Sequence, residues 1–172
     1  MTIHREDWQR SMTLRAWTGG DDHSLVRVLA PARDAGNASL SVQGSLWSYT
    51  PKLNRVVRIP SSMMARNWMG SDFSNQDISR SADIVDQYRH ELLGQSVAGG
   101  HRSYRIRSTP REDAPVVWGF EVLHIRDDHV LLEHQFWDQA GELVKTLEAL
   151  EIEEMSGRPV ASRLRMSRHD EP

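Results

Sequence analysis

Leu46-Trp47-Ser48-Tyr49-Thr50-Pro51-Lys52-Leu53-Asn54-Arg55-Val56-Val57-Arg58-Ile59-Pro60 decides how the chain reads. Leu46 to Tyr49 is rich in aromatic residues and Arg55 to Ile59 in β-branched ones. Each suits a half-buried pleated surface, the first ending before Pro51. Two neighbouring strands are therefore predicted, the second ending at Pro60, which has no N–H to give to a ladder. The pattern then changes. Ser61 is placed to cap a helix over Ser62-Met63-Met64-Ala65-Arg66-Asn67-Trp68-Met69, with Gly70 ending it. Met64, Trp68 and Met69 share one side of that helix, and Ser71 to Asp77 reads as loop or a second short helical turn.

Outward from this centre, period-2 alternation dominates. Toward the amino terminus Leu40 and Val42 lie on one face, and Val26, Val28 and Ala30 oppose Leu25, Arg27 and Leu29. Trp8, Met12, Leu14 and Ala16 form a further face that Arg10 interrupts. Pro31 to Gly36 and Gly19 to Asp22 are turns. Toward the carboxyl terminus strands are predicted from Ile84 through Tyr88, His90 and Leu92, then at Tyr104 and Ile106 beyond the Ala98-Gly99-Gly100 turn. Pro115 to Leu123 fits a short helix or a buried strand. Val130, Leu132 and Phe136, the Asp138-Gln139-Ala140-Gly141 hairpin turn, Leu143 to Ile152, the Ser156-Gly157 turn, and Val160, Leu164 and Met166 complete a meander. Arg168 to Pro172 reads as a polar tail.

The expected fold is mainly β (α+β): one domain over residues 1–172, a curved antiparallel sheet of roughly nine strands. Such a sheet has to close or cover its edges. If it curls, it encloses a hollow that the Pro60–Asp77 insertion is placed to lid.

Composition excludes several functions. The chain has 172 residues with net charge −3, without the excess of Lys and Arg that non-specific nucleic-acid binding needs. Only Lys52 and Lys145 among its 21 basic residues are lysines. It has no cysteine, which rules out disulfides, thiolate nucleophiles and Cys-ligated metals. No run approaches the ~20 apolar residues of a membrane-spanning helix. Met1-Thr2-Ile3-His4-Arg5-Glu6-Asp7 has neither a basic nor an apolar leader region, so no signal peptide is expected.

Catalytic patterns are equally scarce. Asp72 and Asp77 offer an acid pair or hard-metal ligands, but capping and turn bonding with Ser71, Ser74 and Asn75 explains them more simply. The eight histidines show no zinc-binding spacing, and His129 and His134 fall on opposite faces of a regular strand. Gly-x-Ser-x-Gly, phosphate-loop and dinucleotide patterns do not occur. No catalytic residue, metal or cofactor is expected. Arg55, Arg58 and Arg66 are either headgroup contacts or a solvated rim.

The Leu46–Pro60 stretch and the following Ser62-Met63-Met64-Ala65-Arg66-Asn67-Trp68-Met69-Gly70-Ser71-Asp72-Phe73-Ser74-Asn75-Gln76-Asp77 together resemble the LolA-like outer-membrane lipoprotein-sorting family, in its branch of uncharacterised periplasmic proteins. Ala114-Pro115-Val116-Val117-Trp118-Gly119 and Arg158-Pro159-Val160 extend the resemblance over almost the whole chain. It implies an incomplete β-barrel around an apolar cavity with a helical lid. It also implies a cofactor-free periplasmic role holding lipid or acylated protein between membranes, with an inner-membrane exporter as a further partner and peripheral contact with the membrane. The start is expected to depart from the family, without its export signal and first helix.

On that basis Met12, Leu14, Val26, Val28, Leu40 and Val42 are candidates for the cavity wall. Trp47, Met63, Met64, Trp68, Met69 and Phe73 are candidates for its mouth or lid. For each the simpler alternative is ordinary core packing. Burying a methylene is worth ~0.8 kcal/mol, so a palmitoyl-length chain gains on the order of 10 kcal/mol before binding entropy is subtracted. Methionines adapt to chains of varied shape, and tryptophan covers a mouth while keeping one polar handle. The alternative function is a protein-interaction subunit of an envelope lipid-export system with a filled core. An enzyme on the same scaffold is the least favoured reading.

Overall fold

Short runs joined by tight turns pair as antiparallel neighbours, since parallel pairing needs a long crossover. The computed structural model is built this way throughout: mainly β, of open antiparallel sheets, with few helical turns. It describes residues 1–20, 22–79, 83–114 and 116–169. The chain divides into two compact units, Met1–Ala82 and Asp83–Pro172. Among the described residues no helix is long and apolar enough to cross a membrane.

In the first unit β1 (Thr2–His4) and β2 (Gln9–Ser11) form a two-stranded ribbon. β3 (Thr13–Gly19), β4 (His23–Ala30), β5 (Ala38–Val42), β6 (Ser45–Thr50) and β7 (Arg55–Arg58) form a five-stranded meander in chain order. The β5–β6 link is the two-residue Gln43-Gly44 turn, with φ of 48° and 72°. Left-handed geometry at both positions matches the twist of the flanking strands. The single strand expected over Trp8 to Ala16 is split, with Met12 buried at the junction of β2 and β3 and Trp8 outside both.

The face expected for β5 is reversed. Ser39 and Ser41 are buried, while Leu40 is 40% exposed and Val42 shares its side. A one-residue change of register carries every side chain of a strand to the other face. Here the indole of Trp68 occupies the inner side, where it needs small neighbours and a hydrogen-bond acceptor. Serine supplies both, and leucine supplies neither.

The helix expected over Ser62 to Met69 is absent. In its place are two 3₁₀ turns, Ser61–Met63 and Trp68–Gly70, and no side chain caps either. Asn67 is extended, with ψ of 126°, and Met69 is left-handed, with φ of 51°. The Trp68 N–H donates to the Phe73 carbonyl at 2.6 Å, and Asn67 bridges Ser74, folding the segment back on itself. Short polar side chains that bond nearby backbone compete with helix, and Ser71 does so on both sides of the turn. A helix follows only at α1 (Asn75–Ser79). Its start is a reciprocal cap: Asp77 accepts from the Ser74 N–H at 2.7 Å, and Ser74 Oγ accepts from the Asp77 N–H at 3.2 Å.

The second unit opens with α2 (Asp83–Asp86), where a strand was expected from Ile84. Then β8 (Tyr88–Ala98), β9 (His101–Pro110), β10 (Phe120–Arg126), β11 (Leu131–Trp137), β12 (Leu143–Met155) and β13 (Arg158–Arg168) form a six-stranded meander in chain order. Gly99-Gly100 and Ser156-Gly157 make two of its turns, all four residues with positive φ. Of the ambiguous Pro115 to Leu123 stretch, Pro115 lies outside the described residues and strand begins at Phe120. Most of the expected tail, residues 170–172, also lies outside them, and Arg168 ends β13.

Candidate functional site

The inner face of the first sheet alternates small hydroxyl residues with branched apolar ones, and Trp68 is laid across it. Its Nε1–H donates to Ser39 Oγ at 3.0 Å, and the ring is buried. Beneath lies a cavity of about 260 Å³. Val28, Ala38, Leu46, Ile59, Trp68 and Met69 form its apolar wall, while Asn37, Ser39, Ser48, Thr50 and Asn75 form a polar one. A second hollow, of about 440 Å³, lies at Gly44, Ser45, Arg58, Pro60, Ser61 and Met64, with Ile59 bordering both. There Arg58 Nη2 donates to Ser45 Oγ at 2.9 Å.

Of the expected wall and lid residues, Val28, Trp68 and Met69 meet at the first cavity and Met64 lines the second hollow, where the rim candidate Arg58 joins it. Val26 and Leu14 are on the face of the sheet that bears Val28, outside the lining. Met12 is buried at the β2–β3 junction, its carbonyl accepting from the Met1 amino group at 2.8 Å. Leu40, Val42 and Trp47 project from the opposite face, a correction that follows from the β5 register. Met63, Arg55 and Arg66 are exposed, and Phe73 is half-buried, its carbonyl closing the Trp68 turn. Ser39, Ser48, Thr50, Asn37 and Asn75 were missed. The alternation of Ser39 with Ser41 was their one legible sign, since two polar residues two apart define a face as well as two apolar ones do.

Asp72 and Asp77 are not brought together as an acid pair. Both carboxylate oxygens of Asp72 accept from Arg5, at 2.8 and 3.2 Å, and Asp77 caps α1. Nearby, burial pushes the Asp34 carboxyl up, but hydrogen bonds and charge from Arg10 and then Arg33 outweigh it and hold Asp34 below the usual carboxylate range.

In the second unit the buried Glu121 carboxylate accepts from the Tyr88 hydroxyl at 2.6 Å and pairs with His134 Nε2 at 2.5 Å. His134 stacks on Phe136, with ring centroids 4.1 Å apart. Lys145, 2% exposed, sets its ammonium 4.4 Å from the centroid of Phe136 and 5.1 Å from that of Trp118. Strand register explains the grouping, because Glu121, Phe136 and Lys145 are direct partners on β10, β11 and β12. His129 is not in a strand as expected but in the β10–β11 turn, with φ of 69°. Beside that turn His101, the first residue of β9, clusters with Asp127 and Asp128, their ligand atoms within 4.8 Å of one another. The carboxylates there serve the turn: Asp127 accepts from the Arg102 N–H at 3.1 Å, and Asp128 pairs with Arg126.

Comparison with known proteins agrees with this architecture. The chain is similar to a DUF1329 family protein from Desulfovibrio piger, with 26% identity and a TM-score of 0.84 over 97% of this chain and 75% of that one. It is similar to a domain from Vibrio parahaemolyticus provisionally described as an outer-membrane lipoprotein-sorting protein, with 22% identity and a TM-score of 0.84 over 98% and 75%. It is also similar to a LolA superfamily protein from Nitrosomonas europaea, with 20% identity and a TM-score of 0.75 over 97% and 74%. No curated protein matches the sequence. A protein-family model described as "-like: Uncharacterized protein" matches residues 20–172. The chain belongs to that family of uncharacterized proteins, and its fold is LolA-like.

Proposed function

We propose that the chain is a non-catalytic carrier of a lipid or acylated ligand in the bacterial envelope, acting in the periplasm, and that the cavity under Trp68 receives an acyl chain. The observation that carries this reading is a hollow of about 260 Å³ between the first sheet and the Trp68–Gly70 turn. Small-molecule pockets usually hold ~300–1,000 Å³, so the hollow as it stands takes a chain end. Fuller entry needs the turn to swing away. That turn, with left-handed Met69 at its centre, is held by the Trp68–Ser39 hydrogen bond, by local bonds around Ser71 and Phe73, and by Arg5 and Arg10, which donate to the Gly70 and Met69 carbonyls. Opening has to break the bonds to Ser39, Arg5 and Arg10, while those within the turn can move with it. The LolA-like fold and the lipoprotein-sorting description of the Vibrio domain support the same reading.

The test is a titration with a fluorescent fatty acid, beside mass spectrometry of gently purified protein. Saturable binding that Met69→Asp abolishes, with the fold retained, is the expected result. Folded protein that binds no fatty acid and carries no acyl-bearing molecule would end the proposal. It would leave the protein-interaction subunit as the better reading.

A further inference from the structure

The side of the first sheet turned away from the cavity carries an unbroken lateral row. Trp17 pairs with Leu25, Leu25 with Leu40, Leu40 with Trp47 and Trp47 with Arg58, one residue from each of β3 to β7. Directly paired residues of antiparallel strands share a face. This row is open to solvent, with Trp17 47%, Leu40 40% and Trp47 37% exposed. Arg15 and Arg27 pair beside it on the same face. The Arg15 guanidinium lies 6.0 Å from the Trp17 ring centroid, and that of Arg58 lies 6.0 Å from the Trp47 centroid. The five strands contain no Asp or Glu, although the chain as a whole has net charge −3. Positive charge has been segregated onto this sheet and interleaved with aromatic residues.

We propose that this face docks on the surface of an anionic phospholipid bilayer. A contiguous exposed apolar patch marks an interaction surface. Tryptophan settles at the headgroup level, with its ring in the apolar zone and its N–H in the polar one. Arginine beside it meets lipid phosphate. A second copy of the chain is a poor occupant, because Arg15, Arg27 and Arg58 of the two faces would be set against one another. The inference is independent of the cavity, since docking requires no cargo.

Flotation with vesicles tests it, comparing pure phosphatidylcholine with phosphatidylcholine containing phosphatidylglycerol. The chain is expected to float with the mixed vesicles and not with the neutral ones, and added salt should release it. Each cation near an anionic surface contributes about fivefold to partition, so Arg15→Gln/Arg27→Gln/Arg58→Gln together should weaken flotation on the order of a hundredfold. Trp17→Ser/Trp47→Ser should abolish the blue shift in indole emission that the mixed vesicles produce. If the triple variant loses its β-sheet circular dichroism, Arg27→Gln alone should still cost about fivefold. Equal flotation with both vesicle types overturns the proposal. So does undiminished flotation of the arginine variants, or a dimer in solution that the double tryptophan variant dissociates.

Discussion

The indole of Trp68 and the hydroxyl of Ser39 are joined by a 3.0 Å hydrogen bond in which both side chains are buried. This bond fastens the insertion between β7 and α1 to the sheet beneath it. It also explains why β5 presents serine, not leucine, to the interior.

Ser39→Ala leaves the Trp68 N–H buried without its acceptor, at a cost of about 1–3 kcal/mol. Urea unfolding should register that loss, and a bound fluorescent fatty acid should dissociate faster. Trp68→Phe removes donor and ring size together. The Ser39→Ala/Trp68→Phe double variant should therefore lose less than the sum of the two singles, because both break one bond. Strict additivity would show that the bond does not hold the turn.

Gly119→Ala should destabilise the second unit. An added Cβ would lie 2.2 Å from the Asp138 carbonyl oxygen and 2.8 Å from its carbon, and backbone cannot step aside as a side chain can. The Gly119 N–H donates to the Trp137 carbonyl at 2.9 Å, at the start of β10–β11 pairing, so the strain falls on the ladder itself. A loss of about 1–3 kcal/mol is expected in thermal unfolding. Gly94→Ala, where nothing lies within 4 Å of the added carbon, should stay within about 0.5 kcal/mol of the parent.

Glu121→Ala removes the shared partner of Tyr88 and His134 from a buried site, and a loss of about 3–5 kcal/mol is expected. Glu121→Gln keeps an oxygen for the Tyr88 hydroxyl and should cost less. Denaturant midpoints of the two variants check the ordering, and equal losses would show that the charge is what matters.

Asp128 responds to acid. Hydrogen bonding from Arg126 outweighs desolvation and, with the charges of Arg126 and His101, brings its pKa down to about 2 from 3.8. A carboxyl whose pKa is lower in the folded chain adds stability that is present above the unfolded value of 3.8. That stability is lost as pH falls through about 2. Asp128→Asn should therefore be less stable than the parent near pH 5, and the gap should close toward pH 2. Urea denaturation at the two pH values measures it.

Turns were the most legible part of the chain. Gly99-Gly100, Ser156-Gly157 and the Asp138 to Gly141 link have the turn chemistry that their backbone requires, and all appear where they were expected. Alternation located most strands but mistook the facing of β5, because the apolar pair Leu40 and Val42 outweighed the serine pair beside it. Patterning cannot tell a face that meets a tryptophan from one that meets solvent. The helix over Ser62 to Met69 failed for a related reason. Its apolar spacing was helical, but the polar run after Gly70 folds back to bond the segment. The Glu121, His134, Tyr88 and Lys145 grouping was illegible, being assembled by register across strands far apart in sequence.

Because Asn37, Ser39, Ser48, Thr50 and Asn75 line the hollow beside its apolar residues, ordered water is expected there when no guest is inside. Polar recesses with room and several partners hold ordered water, whereas purely hydrocarbon ones stay dry. If the proposed acyl guest enters, a tail that is hydrocarbon to its tip would evict that water and offer the hydroxyls nothing in exchange. One carrying an ester or hydroxyl near its buried end restores the lost bonds, so calorimetry across such a series should show heat release rising with the oxygen content of the tip.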